Sequence, residues 1–167
     1  LHREVEWTGS NRKRSNAGMK PSDLNAEPPV SAPDYGRSLR GLGFNLLVRD
    51  VARAVKFATE VLGATAFYAN DRFAAMKLNG GDFMFHHDNT YRNNELHGIL
   101  QGAEARGIGI ELRIYGSNPD VAEANARGGG WTVLAGSLDK PHGLRECMII
   151  DDEGYVWIPS VHLPKEN

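Results

Sequence analysis

Histidine is the side chain whose ordinary pKa lets it exchange protons near neutrality. Two stand side by side here, His86-His87, with Asp88 and Tyr91 close behind. Adjacent residues on a strand point to opposite faces, so the pair is badly placed to chelate one ion. One of the two is expected to face a cavity, with the chemistry of a general base or of a ligand-binding donor and acceptor. The competing reading is a strand-end pair bonded to the loop that follows. Asn45 lies in an alternating run with Phe44 and Leu46, which suits an amide that orients a ligand or one that the backbone satisfies. Glu111 and Arg113 alternate with Ile110, Leu112 and Ile114, and either pair with each other across the sheet or line a pocket. In Lys140-Pro141-His142-Gly143-Leu144-Arg145-Glu146, a tight loop leading into a strand, His142 is a candidate lid or substrate contact or an ordinary exposed histidine. Arg145 is a candidate clamp for a carboxylate or phosphate, or a brace paired with a neighbouring acid. Tyr91, on the long polar connection from His87 to Arg106, is a further candidate ligand contact. The lone cysteine, Cys147, leads an apolar run and reads as a small core residue.

The elements that must position these residues occur twice. Leu42–Val48 alternates, runs into Asp50 as a helix cap, and is followed by Val51, Ala54, Val55, Ala58, Val61 and Leu62 at helical spacing before Gly63. Later Ile108–Ile114 runs into Asn118-Pro119 and a second helix that stops at Gly128-Gly129-Gly130. After the first helix the strand-like runs are Ala64–Tyr68, Phe73–Leu78 and Phe83–His86; after the second they are Trp131–Leu134, Arg145–Ile150 and Tyr155–Ile158. The expected fold is therefore α+β, with tandem βαβββ modules forming two curved half-sheets around a cavity. Residues 41–163 form that domain, with modules at 41–90 and 107–160. Residues 1–40, which hold Trp7, Arg12-Lys13-Arg14, Pro21, Pro28-Pro29 and Pro33, read as an extended or partly disordered arm, with Met19 a possible natural start.

Composition narrows the partners. A formal charge of -2 over 167 residues leaves no basic footprint for nucleic acid. No apolar run approaches the roughly 18 residues of a membrane span. One cysteine cannot build a disulfide framework or a multi-cysteine zinc site, and the opening residues lack a signal-peptide pattern, so a cytoplasmic location is the default expectation.

The segment Val48-Arg49-Asp50-Val51-Ala52-Arg53-Ala54-Val55-Lys56-Phe57, the close Val61-Leu62-Gly63 and the ending Gly143-Leu144-Arg145-Glu146 … Asp151-Asp152-Glu153-Gly154-Tyr155-Val156-Trp157 resemble the vicinal-oxygen-chelate superfamily. That group contains glyoxalase I, extradiol dioxygenases, and fosfomycin- and bleomycin-resistance proteins, and the likeness covers Gly41 to about Leu163. Ala58 and Asp152 depart from its pattern. The resemblance implies a divalent metal held by His and Glu from the starts of the first and fifth strands, the fourth strand and the last strand. Those positions fall on Gly43, near Gly109, on Phe85 or His86, and on Ile158. Glycine and isoleucine cannot coordinate through side chains, so no metal or other cofactor is expected. The resemblance then implies a metal-independent homodimer that binds a small organic molecule between its modules. The alternative is a glyoxalase-type lyase or isomerase (lactoylglutathione lyase-like), or a dioxygenase, with a non-standard metal site around His86 or His87, Glu111 and His142.

Overall fold

The structure, a computed structural model, describes residues 27–165. Trp7, the basic triplet at 12–14, Met19 and Pro21 lie outside the described residues. The chain runs through α1 (Ala32–Ser38), β1 (Phe44–Val48), α2 (Val51–Glu60), β2 (Thr65–Ala69), β3 (Phe73–Leu78) and β4 (Gly81–His87). A 3-10 turn (Asp88–Tyr91) and α3 (Leu96–Leu100) connect these to β5 (Glu111–Tyr115), α4 (Pro119–Gly128), β6 (Thr132–Asp139), β7 (Leu144–Ile150) and β8 (Val156–His162). The strands form two four-stranded sheets of matching order, β1-β4-β3-β2 and β5-β8-β7-β6. In each, the first strand of the module runs parallel to the last. The expected tandem βαβββ fold is present.

Local chemistry explains the helices. The Asp50 carboxylate accepts from the Arg53 N–H at 2.9 Å, satisfying a donor that the first turn leaves open. At the other end Ala64 N–H reaches back to Ala58 C=O at 2.9 Å across Gly63, whose φ of +73° suits glycine. Asn118 caps α4 in the same way, accepting from the N–H groups of Asp120 and Val121. The buried side of α4 is Pro119, Ala122 and Ala126, small enough to bring the helix close against its sheet.

Four boundaries differ from the sequence reading. α1 replaces an extended arm over Ala32–Ser38, because Ser31 caps it and Pro33 pre-sets its first turn. The fifth strand begins at Glu111 instead of Ile108. Gly109 sits at φ +85°, Ile110 N–H closes a turn onto Gly107 C=O at 3.1 Å, and Ile108 is 81% exposed. β6 continues to Asp139 through two register shifts, and β8 continues through Pro159, which pairs with Ile114 of β5, to His162, which pairs with Leu144 of β7.

One core serves both modules. Phe57 of α2 meets Trp131, at the start of the second module's β6, with ring centroids 5.6 Å apart, and Trp157 of β8 at 6.1 Å. Phe83 of β4 also lies on Trp157, at 5.7 Å. Leu46, Val48, Phe85, Leu112, Ile114 and Ile149 complete this helix-covered side. Cys147 belongs to it too: burial pushes its thiol up to about 11, so it is a core residue without nucleophilic character. Among the described residues no helix is long and apolar enough to cross a membrane.

Candidate functional site

Each module latches onto the other near its first helix. The β7–β8 turn reaches the end of β1, where Glu153 accepts from the Arg49 backbone N–H at 2.6 Å and from its guanidinium at 2.9 Å. The Tyr155 hydroxyl donates to Leu47 C=O at 3.1 Å, and Arg53 of α2 pairs with Asp152, the residue that stands where the resemblance leads one to expect proline. In mirror fashion the β3–β4 turn reaches the end of β5, with the Asn79 amide donating to Tyr115 C=O and Ser117 Oγ, both at 3.0 Å. Arg106 lies at the centre of the seam. Its side chain, 4% exposed, donates to both Asp88 oxygens at 2.5 and 2.6 Å and to Leu47 C=O at 3.1 Å, with Glu153 3.4 Å away.

The duplicated ladders assign equivalent positions. Phe44 pairs with Phe83 and Leu112 with Trp157, and each first member lies six residues before its helix cap, Asp50 or Asn118. One residue earlier, Gly43 therefore matches Glu111, so the expectation that Gly109 is its counterpart is corrected. The alternation of Ile108 and Ile110 extends the strand pattern upstream of the strand itself, which starts at Glu111. Asn45 pairs with Met84 as Arg113 pairs with Ile158, so the fourth-strand counterpart of Ile158 is Met84, not Phe85 or His86. The four matched positions are Gly43, Met84, Glu111 and Ile158. One carboxylate, one thioether and two side chains without donors do not fit the His and Glu set of a divalent metal centre. Arg113 already holds the carboxylate, its Nη1 2.9 Å from Glu111 Oε2.

Cross-strand pairs share a sheet face, and this sorts the sequence candidates. On the first sheet Asn45 and Met84 share the open side, as do Leu47, His86 and Phe73. His86 faces this side, edge-on to Phe73 at 4.7 Å and Tyr91 at 5.5 Å, with Nδ1 3.2 Å from Thr90 Oγ1. Tyr91 Oη accepts from the Asn45 amide. His87 points the other way and works as a cap, its Nδ1 accepting from Asn89 N–H at 3.0 Å beside a wide polar groove at the start of α2. On the second sheet Glu111, Arg113, Glu146 and His142 come together. Arg113 bridges Glu111 and Glu146, and His142 Nε2 lies 3.4 Å from Glu146. Glu146, absent from the list of expected contacts, is the member that joins the loop histidine to β5. Its partner Ser160 on β8 gives its place on that face away. Arg145 is a correction. It lies on the helix-covered face, bound to Asp120 of α4 and to Asp139 at 2.7 Å each, and braces the fold instead of receiving a ligand.

A cavity of about 310 Å³ opens at the seam, lined by Phe44, Leu78 and Phe83 from one module and Glu111, Arg113, Tyr115 and Trp157 from the other. Glu111 lines it, and Asn45 does not. Asn45 lies beneath Tyr91, beside a separate cavity of about 390 Å³ bounded by Tyr35, Gly43, Asp82 and Met84.

Burial lowers His86 below its ordinary 6.5, because water no longer solvates the imidazolium. The folded chain then binds fewer protons at this site than the unfolded chain, so stability falls as pH drops through 6.5 and is insensitive to this group above it. Melting temperatures at pH 8 and pH 5 are expected to differ less in His86→Gln than in the parent. An unchanged difference would place the acid sensitivity elsewhere.

The site sits on paired modules of a known kind. Solved structures with this fold include a glyoxalase/bleomycin resistance protein/dioxygenase from Nocardioides, 21% identical over 81% of this chain and 95% of that one, with a TM-score of 0.56. A glyoxalase/bleomycin resistance protein/dioxygenase family enzyme from Burkholderia phytofirmans PsJN is 18% identical over 72% and 97% of the two chains, with a TM-score of 0.59. TioX from Micromonospora sp. ML1 is 21% identical over 75% and 100%, with a TM-score of 0.51. No protein-family model and no curated protein matches the chain. The class is thus a protein of two βαβββ modules. The particular fold is that of the glyoxalase/bleomycin resistance/dioxygenase proteins, the vicinal-oxygen-chelate fold that the sequence resembles.

Proposed function

We propose that this chain binds a small organic molecule between its modules without a bound metal, as a member of the bleomycin-resistance side of this fold. The observation that carries the reading is the content of the four matched positions, Gly43, Met84, Glu111 and Ile158, set beside a seam cavity of about 310 Å³. Its lining is largely apolar, with Glu111 and Arg113 to orient a polar ligand group, which is the usual build of a small-molecule site. The enzyme reading, a glyoxalase-type lyase or isomerase or a dioxygenase, would have to work from Glu111, Glu146 and His142. Arg113 is paired with both carboxylates, and among the described residues no group of three or more His, Cys, Asp or Glu side chains is arranged to hold a metal.

Elemental analysis of the purified protein, with turnover of the methylglyoxal–glutathione adduct measured before and after chelation, tests the proposal. Metal below stoichiometric levels and no turnover are expected. Stoichiometric metal with chelator-sensitive turnover would overturn it in favour of the enzyme.

A further inference from the structure

The open side of the first sheet carries an aromatic floor that the seam cavity does not use. Tyr68 and Phe73 lie 6.3 Å apart, Phe73 meets His86, and His86 meets Tyr91. Onto one end of this floor α1 lowers one ring. Tyr35 stacks on Phe67 at 5.9 Å with planes 18° apart and stands edge-on to Phe73 at 6.3 Å. Tyr35 is half-buried while the other residues of α1 are exposed. The helix joins β1 through Gly41, at φ +70°, and Gly43, which has open space around it. Few contacts and a glycine connection are the marks of a segment that opens locally at little cost.

Two polar atoms on this face are buried without a partner, the Tyr35 hydroxyl and the Asn45 Oδ1. Each such atom gives up its hydration without a hydrogen bond in return. Burial raises the Tyr35 hydroxyl above its ordinary 10.0, so it stays neutral. The cavity of about 390 Å³ beside Tyr35 is bounded by Met84, the cross-strand partner of Asn45.

We propose that Tyr35 is a tethered stand-in for a ligand. The place its ring takes on Phe67 and Phe73 is a subsite for a planar aromatic compound, whose amide-type polar group pairs with Asn45. This rests on the small-molecule reading above and adds to it a ligand class and a built-in competitor. Displacing the ring frees the stacking surface, returns the Tyr35 hydroxyl to water and gives the Asn45 amide its missing partner.

Naphthalene-2-carboxamide is the probe, titrated into the full chain and into Tyr35→Ala while methyl NMR signals are followed. Met84 reports on the strapped face, and Leu112 and Ile114 report on the seam cavity. Removing a competitor raises the fraction of sites open to ligand, so Tyr35→Ala is expected to bind about tenfold tighter, with shifts at Met84. Adding Phe73→Leu is expected to reverse the gain, and methyl 2-naphthoate, which lacks the amide N–H groups, is expected to bind more weakly than the amide. Equal or weaker binding by Tyr35→Ala overturns the proposal. So do shifts confined to Leu112 and Ile114, which would leave the seam cavity as the binding site and the small-molecule reading intact.

Discussion

Glu153→Ala is expected to destabilise the chain by about 3 kcal/mol, measured as a fall in the urea midpoint at unchanged slope. The carboxylate is 9% exposed and serves three donors: the Arg49 backbone N–H, the Arg49 guanidinium and, at longer range, Arg106. Removing it leaves a part-buried backbone donor without its acceptor and takes one of two counter-charges from a guanidinium that is itself almost fully buried. Asp88 still holds Arg106, and Arg49 is part-exposed and can turn to water, which keeps the loss at the low end for a broken buried pair. Glu153→Gln keeps an acceptor for the Arg49 N–H and is expected to lose about half as much. A loss under about 1 kcal/mol for alanine would mean that Asp88 alone neutralises Arg106, and that the latch contributes geometry without stability.

Phe57→Ala is expected to cost more, about 3–5 kcal/mol, because it removes a ring 1% exposed and leaves a cavity that neighbouring rings fill poorly. Phe57 projects from the first module's helix between Trp131 and Trp157 of the second, so the gap opens where the modules share their core. Phe57→Leu, which restores part of the volume, is expected to recover most of the loss. An alanine cost near 1 kcal/mol in denaturant unfolding would show that the two indoles close over the space, and that the modules are less tightly joined than their geometry implies.

Much of the architecture is legible along the chain because its causes are local. Asp50, Gly63, Asn118 and Pro119 punctuate helices through contacts within a few residues, and alternation reports which side chains share a strand face. The split between His86 and His87 follows from that alternation. What escaped depends on which strand lies beside which, and at what offset. Gly109 was taken for the counterpart of Gly43 because Ile108 and Ile110 prolong the apolar alternation past the true start of β5. Met84 was passed over because its equivalence to Ile158 is visible only through the ladders to Asn45 and Arg113. The acid that braces Arg145 is not identifiable from spacing, because Asp120 lies 25 residues away on a helix, and Glu153 gives no sign of its partner Arg49, 104 residues earlier. α1 was masked by its setting, a helix of seven residues in a proline-bearing arm.

The latch between Leu47 and Tyr155 spans 108 residues. Closing a contact that distant costs more chain entropy than closing a local one, and a fold rich in such contacts folds more slowly. The seam cavity is lined by residues of both modules, so it belongs to the structure in which they are joined. A molecule bound there draws its whole affinity from the finished structure. At a hundred times its dissociation constant it would add about 2.7 kcal/mol to the free energy of unfolding. Heat resistance that climbs with ligand concentration is then a way to find the natural occupant, by screening compounds for the rise they cause without knowing any reaction in advance.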